Sequence, residues 1–237
     1  MKTSDIIDAI KVFFLDFLGY LLPGLYAIFL LTYIINPSIQ FNFESIPFIK
    51  GNEQFVIFLF AYLSGYVIYS IDFSDYITKK VKLLGIKTPL QIEAEISGQL
   101  EFQECKSVIN RLWKDQSGSP ILTTAQLTNL NVRNLRNIVM SYIPESDTKV
   151  YTFMFRSDLC KHLSSFSLLL GLFGLLSCLY TSFLNWFSFF NTGLYNVFIY
   201  CILIIGSLLL MKTRSRFLSI AYKIPFSIFL SKFYKIN

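Results

Sequence analysis

Apolar positions gather into four runs along the chain, residues 17–35, 55–71, 163–184 and 195–211, each bounded by polar stretches. A helix needs about 17–25 residues to cross the hydrocarbon core of a bilayer, so each run predicts a transmembrane helix. The pattern changes between the second and third runs. There, residues 73–162 alternate polar and apolar positions at helical spacing. Thr88 followed by Pro89 is a helix start, an N-cap residue with proline at the first helical position. Glu93, Glu95, Glu101 and Glu104 then interleave with Leu90, Ile92, Ile96, Leu100 and Phe102, and Gly98 breaks or bends the stretch. Ser117–Pro120 reads SGSP, a turn. A second helix is expected over 124–143, with Leu127, Leu130, Leu135, Ile138 and Tyr142 on one side, ended by Pro144.

The expected fold class is all-α, an integral membrane four-helix bundle with a small helical cytoplasmic domain inserted between spans 2 and 3. Its divisions are 1–72 (lead-in and two spans), 73–162 (helical domain), 163–211 (two spans) and 212–237 (basic amphipathic tail). No cleavable leader is expected, because the first apolar run continues into a spanning helix. Residues 4–16 are amphipathic and suit an interfacial lead-in. The tail interleaves Lys212, Arg214, Arg216, Lys223, Lys232 and Lys235 with aromatic residues and carries no acid. It fits a helix lying at an anionic leaflet, while Lys223 and Pro225 argue against a fifth span.

Charge distribution sets the expected sidedness. Of the 21 Lys and Arg residues, twelve fall in 73–162, six after Met211 and two before residue 12, leaving only Lys50 in the first connection. The positive-inside rule then puts both termini and the middle segment in the cytoplasm, in a multi-pass protein of the bacterial inner membrane. The net charge of +6 comes mostly from this asymmetry. It points to anionic lipid rather than nucleic acid as a partner.

The third run carries the sharpest pattern. Ser164, Ser167, Gly171, Gly174, Cys178, Thr181 and Asn185 recur at alternating steps of 3 and 4. Helices associate in lipid through close backbone approach and interhelical hydrogen bonds, so such a seam is a helix-packing surface. A pore-facing stripe in an oligomer is the competing reading, disfavoured because the seam has no ring-forming charge. In the second run, Ala61, Gly65, Ile68 and Asp72 form a small face. Phe55, Phe58, Tyr62, Tyr66, Tyr69, Phe73 and Tyr76 form an aromatic row, read as packing and interface anchoring or as a groove for an apolar ligand. In the first, Asp16, Gly19, Pro23 and Ala27 share a face, and Pro23 frees the Gly19 carbonyl. Acids Asp16 and Asp72 with bases Arg156, Lys161, Lys212 and Arg214 are expected to form a charge collar at the inner leaflet. A proton relay is the alternative role for Asp16.

One histidine and four scattered cysteines, Cys105, Cys160, Cys178 and Cys201, supply neither a zinc site nor a disulfide framework. The chain lacks H-E-x-x-H, G-x-S-x-G and P-loop motifs. No catalytic residue, cofactor or metal is expected, and the chain does not read as an enzyme. Arg133 and Arg136, near Asn131, Asn134 and Asn137, form the one patch suited to a phosphate or a partner's acidic surface, if it is not simply an exposed face.

The layout, together with FLDFLGYLLPG (Phe14–Gly24) and FRSDLCKHLSS (Phe155–Ser165), resembles the membrane subunits of the Kiwa bacterial antiphage defence systems. That resemblance implies a homo-oligomer that senses phage perturbation at the inner membrane and holds a cytoplasmic effector partner. It transfers no functional residue. Three functions stay open: a scaffold or sensor binding a cytoplasmic protein, a membrane-disrupting or channel-forming effector, and a small transporter or immunity-type protein.

Overall fold

A computed structural model describes residues 3–36, 51–71, 85–114, 123, 126–127, 129–143, 148–184 and 189–234. Among these the chain is helical: α1 (Thr3–Ile34), α2 (Glu53–Ser70), α3 (Pro89–Ser97), α4 (Leu100–Leu112), α5 (Val132–Met140), α6 (Thr148–Leu184) and α7 (Leu194–Phe233). Helices α1, α2, α6 and α7 are long and apolar enough to cross a membrane, the mark of a multi-pass membrane protein.

The long helices pair. α1 packs on α2, and α6 lies along α7 for much of its length. The α6–α7 pair is antiparallel, since Gly171 meets Tyr200 and Ile204 while Phe153 meets Phe217. α1 bridges the two pairs through Tyr26, whose hydroxyl is 2.6 Å from that of Ser167 on α6. At one end a short antiparallel bridge between Ile35 and Phe190 ties α1 to the approach to α7. There the Asn191 amide donates to the Ile34 carbonyl at 2.7 Å, and the Asn36 amide to the Phe189 carbonyl at 3.0 Å.

At 37 and 40 residues, α6 and α7 are far longer than a bilayer core requires. A rise of 1.5 Å per residue makes them about 55 and 60 Å long, against about 30 Å of hydrocarbon. The surplus of α7 is the spine of a second apolar core. Leu218, Phe226 and Phe229 of α7 pack with Ile92 and Ile96 of α3, Phe102, Cys105, Val108 and Ile109 of α4, and Val132, Leu135 and Val139 of α5. The Phe102 and Phe226 rings meet edge to face at 5.7 Å. The other core lies in the apolar segments, where Ala27, Leu30, Ile34, Ile68, Phe166, Leu170, Tyr200 and Leu203 cluster.

Here the structure departs from the leaflet-lying tail expected over 212–237. α7 runs unbroken through Lys223 and Pro225, and its apolar side, spaced at Leu218, Ala221, Pro225, Phe226 and Phe229, is buried. Phe226 and Phe229 there face protein, packed against α3, α4 and α5, while Tyr234 is exposed. A second difference concerns 148–162, expected to belong to the polar segment. It is the beginning of α6, continuous with the third apolar run.

Local signals set the short helices. Thr88 and Gln91 form a reciprocal capping box: the Gln91 amide donates to Thr88 Oγ1 at 3.2 Å and the Thr88 amide to Gln91 Oε1 at 2.9 Å. Gly98 caps the C-terminus of α3, and α4 restarts two residues later. The stretch 124–143, expected as one helix, is interrupted: 126–127 are helical, 129–131 are not, and α5 covers Val132–Met140. Asn131 Oδ1 accepts the Asn134 amide at 2.8 Å, which makes Asn131 an N-cap and starts the helix there. Val132, Leu135 and Val139 form its buried side. Tyr142 follows the helix in a turn, where it accepts a 2.5 Å hydrogen bond from Trp113 Nε1 and packs on Phe229 and Phe233. Pro120 and Pro144 lie outside the described residues.

Replacing Phe229 by Ala removes a fully buried ring and is expected to destabilise the α3–α5 unit by about 3–5 kcal/mol in denaturant unfolding of the detergent-solubilised chain. A tail lying on lipid would lose nothing measurable. Burial, helped by Glu101 and Glu104, pushes the Cys105 thiol up to about 12. An unfolded thiol titrates near about 8.5, so the unfolded chain ionises first as the pH rises. Cys105 therefore contributes stability that is full below about pH 8.5 and is lost as the pH climbs toward 12. Alkaline unfolding titrations are expected to show this loss in the native chain and less of it in Cys105→Ala.

Candidate functional site

The seam of α6 lies against its own neighbours. Ser164, Ser167, Gly171, Gly174 and Cys178 are buried and Thr181 is half-buried, while Asn185 lies outside the described residues. A Cβ on Gly171 would sit 2.8 Å from Ile204 Cγ1 and 2.9 Å from the Tyr200 carbonyl oxygen, and one on Gly174 would enter the Tyr200 ring. The hydroxyls are satisfied locally. Ser164 Oγ donates to the Lys161 carbonyl at 2.8 Å, Ser167 Oγ to that of Leu163 at 2.7 Å, and Thr181 Oγ1 to that of Ser177 at 2.8 Å. α7 thus enters the seam at Gly171 and Gly174, and Tyr26 of α1 meets it at Ser167.

A similar approach joins α1 to α2. A Cβ on Gly24 would strike the Ala61 carbonyl, and one on Gly65 the Tyr20 carbonyl. The aromatic row of α2 then layers onto α1 and α6. Tyr62 stacks on Phe17 at 5.4 Å, Tyr66 on Tyr20 at 3.9 Å, and Tyr69 on His162 at 3.8 Å. Tyr62 and Tyr66 hydroxyls are 3.0 Å apart. Phe73 and Tyr76 lie outside the described residues.

Much of the expected charge collar also lies outside them: Asp72 as a residue, and Asp16 for its side chain. Of the bases, Lys212 is exposed, Lys161 is half-buried, and the Arg156 guanidinium lies over the Phe153 and Phe217 rings at 5.7 and 5.8 Å. Arg214 is buried and lines a cavity of about 300 Å³.

That cavity is the most distinctive polar feature outside the apolar segments. Arg133, Arg136 and Asn137 line it from α5, Arg214, Leu218 and Tyr222 from α7, and Pro89 from the start of α3. Helical spacing explains the convergence: Arg133 and Arg136 are three apart on α5, and Arg214, Leu218 and Tyr222 are four apart on α7. Arg133 is paired with Glu93, with Nε 2.6 Å from Oε1, and that carboxylate is the main reason its pKa rises. Arg136 lies over the Tyr222 ring at 5.3 Å. Burial pushes the Arg136 pKa down, with Tyr222 and Tyr151 opposing. Arg214 is 8% exposed. Arg133 and Arg136, the patch expected from the sequence, both line it, together with Arg214 and Tyr222. Carrying one helix past Met211 would have put Arg214 and Tyr222 on a common face.

The remaining acids play other parts. Glu95 pairs with Lys87 at 2.5 Å, which is the largest cause of its lowered pKa. Glu101 and Glu104 flank a groove lined by Leu100, Leu230, Ser231 and Tyr234. Among the described residues no group of three His, Cys, Asp or Glu is placed to hold a metal ion, and no disulfide forms. Comparison with protein-family models, curated proteins and solved structures finds no match.

Gly171→Leu and Gly174→Leu are expected to force α6 from α7 and to lower the thermal midpoint of the solubilised chain. The cost should reach or exceed the upper end of the about 1–3 kcal/mol typical of overpacking, since Gly171 meets a backbone carbonyl. Gly206→Ala, where an added Cβ meets nothing within 4 Å, is the control expected to leave the midpoint unchanged.

Proposed function

We propose that the chain is a scaffold or sensor subunit of the bacterial inner membrane. In this reading the four long helices form a membrane bundle, both termini are cytoplasmic, and α3–α5 form a cytoplasmic domain that holds an effector protein. One observation carries it: the fourth apolar helix continues without a break into the core of the polar unit, where Leu218, Phe226 and Phe229 are buried. A helix so built transmits rotation or displacement from the bilayer directly to the surface of that unit. The positive-inside distribution of Lys and Arg supports the sidedness. The layout's resemblance to Kiwa membrane subunits extends the reading: the chain self-associates, its signal is phage perturbation of the membrane, and its partner is a cytoplasmic defence protein.

The groove between α4 and the end of α7 suits that partner. Leu100 is 74% exposed and Tyr234 55%, and the acids Glu101 and Glu104 stand beside them. An apolar side chain flanked by basic residues complements such a surface.

Affinity capture from detergent-solubilised membranes of the native host tests the reading. A cytoplasmic protein is expected to co-purify in fixed ratio with the native chain and to be lost with the double variant Leu100→Lys, Glu101→Lys. A chain that purifies without a soluble partner, and that on its own makes cells leak dye, would instead be an effector that opens membranes.

A further inference from the structure

We propose that the groove between α4 and the end of α7 receives a basic amphipathic helix of the effector protein, which bridges α4 to the membrane helix. This inference rests on the scaffold reading for the existence of a partner, and on the groove itself for that partner's chemistry.

Each wall offers residues one helical turn apart, Leu100 and Glu104 on α4, Leu230 and Tyr234 at the end of α7. Glu101 and Ser231 complete the lining of a space of about 470 Å³. Behind it the walls are fixed to each other. The Phe102 and Phe226 rings meet at 5.7 Å, and the Cys105 thiol donates to the Phe226 carbonyl at 3.6 Å. The groove is therefore preformed, and a bound segment loses little affinity to ordering it. A groove between two helices takes the apolar side of a third, through anchors one turn apart.

Charge selects the flanks of that third helix. Of the four acids on α3 and α4, Glu93 pairs with Arg133 and Glu95 with Lys87. Glu101 and Glu104, the two on the groove, make no ion pair among the described residues. The chain carries a net charge of +6, so bases to pair with them are plentiful. No base lines the groove, and Lys232 in the last turn of α7 is exposed outside its lining. Both carboxylates act on their surroundings, since both help to push the Cys105 thiol up. A Lys or Arg brought beside them gains an attraction that a neutral side chain lacks.

Height above the bilayer argues against lipid as the occupant. Leu230 follows Leu194 by 36 residues, about 54 Å along α7 at 1.5 Å per residue. A bilayer with its headgroups is about 40–45 Å thick, so a helix entering at Leu194 carries the groove clear of it. A soluble protein reaches that level. Its helix, seated there, touches α4 and α7 together, so occupancy holds the polar unit and the membrane helix in one register.

The test uses the full chain in nanodiscs of phosphatidylcholine, with empty nanodiscs as the baseline. The probe is a fluorescent peptide of about 14 residues, close to four turns, with leucines one turn apart flanked by lysines. Anisotropy is expected to show saturable binding to the native chain. Affinity is expected to fall about tenfold in the double variant Glu101→Gln, Glu104→Gln on the α4 wall. It should fall about threefold in Tyr234→Ser on the α7 wall, and stay unchanged in Glu95→Gln, outside the groove lining. No binding beyond empty nanodiscs, or undiminished binding in the glutamine pair, would overturn the proposal. Equal binding of a peptide with glutamine in place of lysine would also overturn it, by making the groove a site for any apolar ligand. Self-association of the native chain that is lost in the glutamine pair would do so too, by making the occupant a second copy. Peptide binding with no co-purifying cytoplasmic protein would keep the groove's chemistry and remove the scaffold reading. Co-purification that survives in the glutamine pair would remove the groove and keep that reading.

Discussion

Tyr200 is wholly buried two turns into an apolar helix, and two glycines of the neighbouring helix make room for it. Its ring fills the notch at Gly174, its carbonyl lies against Gly171, and its hydroxyl donates to the Asn191 carbonyl at 2.7 Å. In lipid there is no hydrophobic gain from bringing two apolar helices together, so contact of this kind, close backbones with a satisfied polar tip, must hold them. Once α6 and α7 are held antiparallel, everything beyond the apolar segments inherits their alignment. Phe153 meets Phe217 further along the same pair, and the three short helices pack on α7 around Leu218, Phe226 and Phe229.

The α1–α2 arm repeats the principle with different residues. Gly24 and Gly65 let the backbones touch, Pro23 beside Gly24 has no amide to donate to the Gly19 carbonyl, and the Phe155 ring of α6 would lie 3.1 Å from a Cβ added at Gly19. Aromatic stacking then extends the contact along the helices through Tyr20, Tyr62, Tyr66 and Tyr69 to His162. Interhelical hydrogen bonds in membranes average only about 0.6 kcal/mol. The Tyr26–Ser167 bond therefore orients the two arms more than it binds them, and packing supplies most of the attraction.

Much of this was legible in the residues. Apolar runs marked all four long helices because lipid-spanning length is a strong constraint, and Gly171 and Gly174 of the small-residue series on α6 meet α7. Thr88, Pro89 and Gly98 marked the ends of α3 because capping is local chemistry. The tail was misread for a physical reason: bases alternating with aromatic residues suit a lipid surface and a half-buried protein helix equally well. Only the presence of α3, α4 and α5 decides between them, and those contacts are remote in sequence. Leucine spacing alone runs 124–143 together, whereas the N-cap at Asn131 starts α5 afresh. The arginine cavity needed both facts at once. Arg214 joins Arg133 and Arg136 only if α7 continues past Met211 and α5 packs against it.

One claim supports the rest, that α7 is a single helix shared between the apolar segment and the polar core. Hydrogen exchange of the detergent-solubilised chain, followed by mass spectrometry across residues 200–234, tests it most directly. A continuous helix with a buried side predicts slow exchange running without interruption from 203 through 229. Fast exchange beginning at 212, where the apolar run gives way to bases, would contradict the account and restore a separate tail.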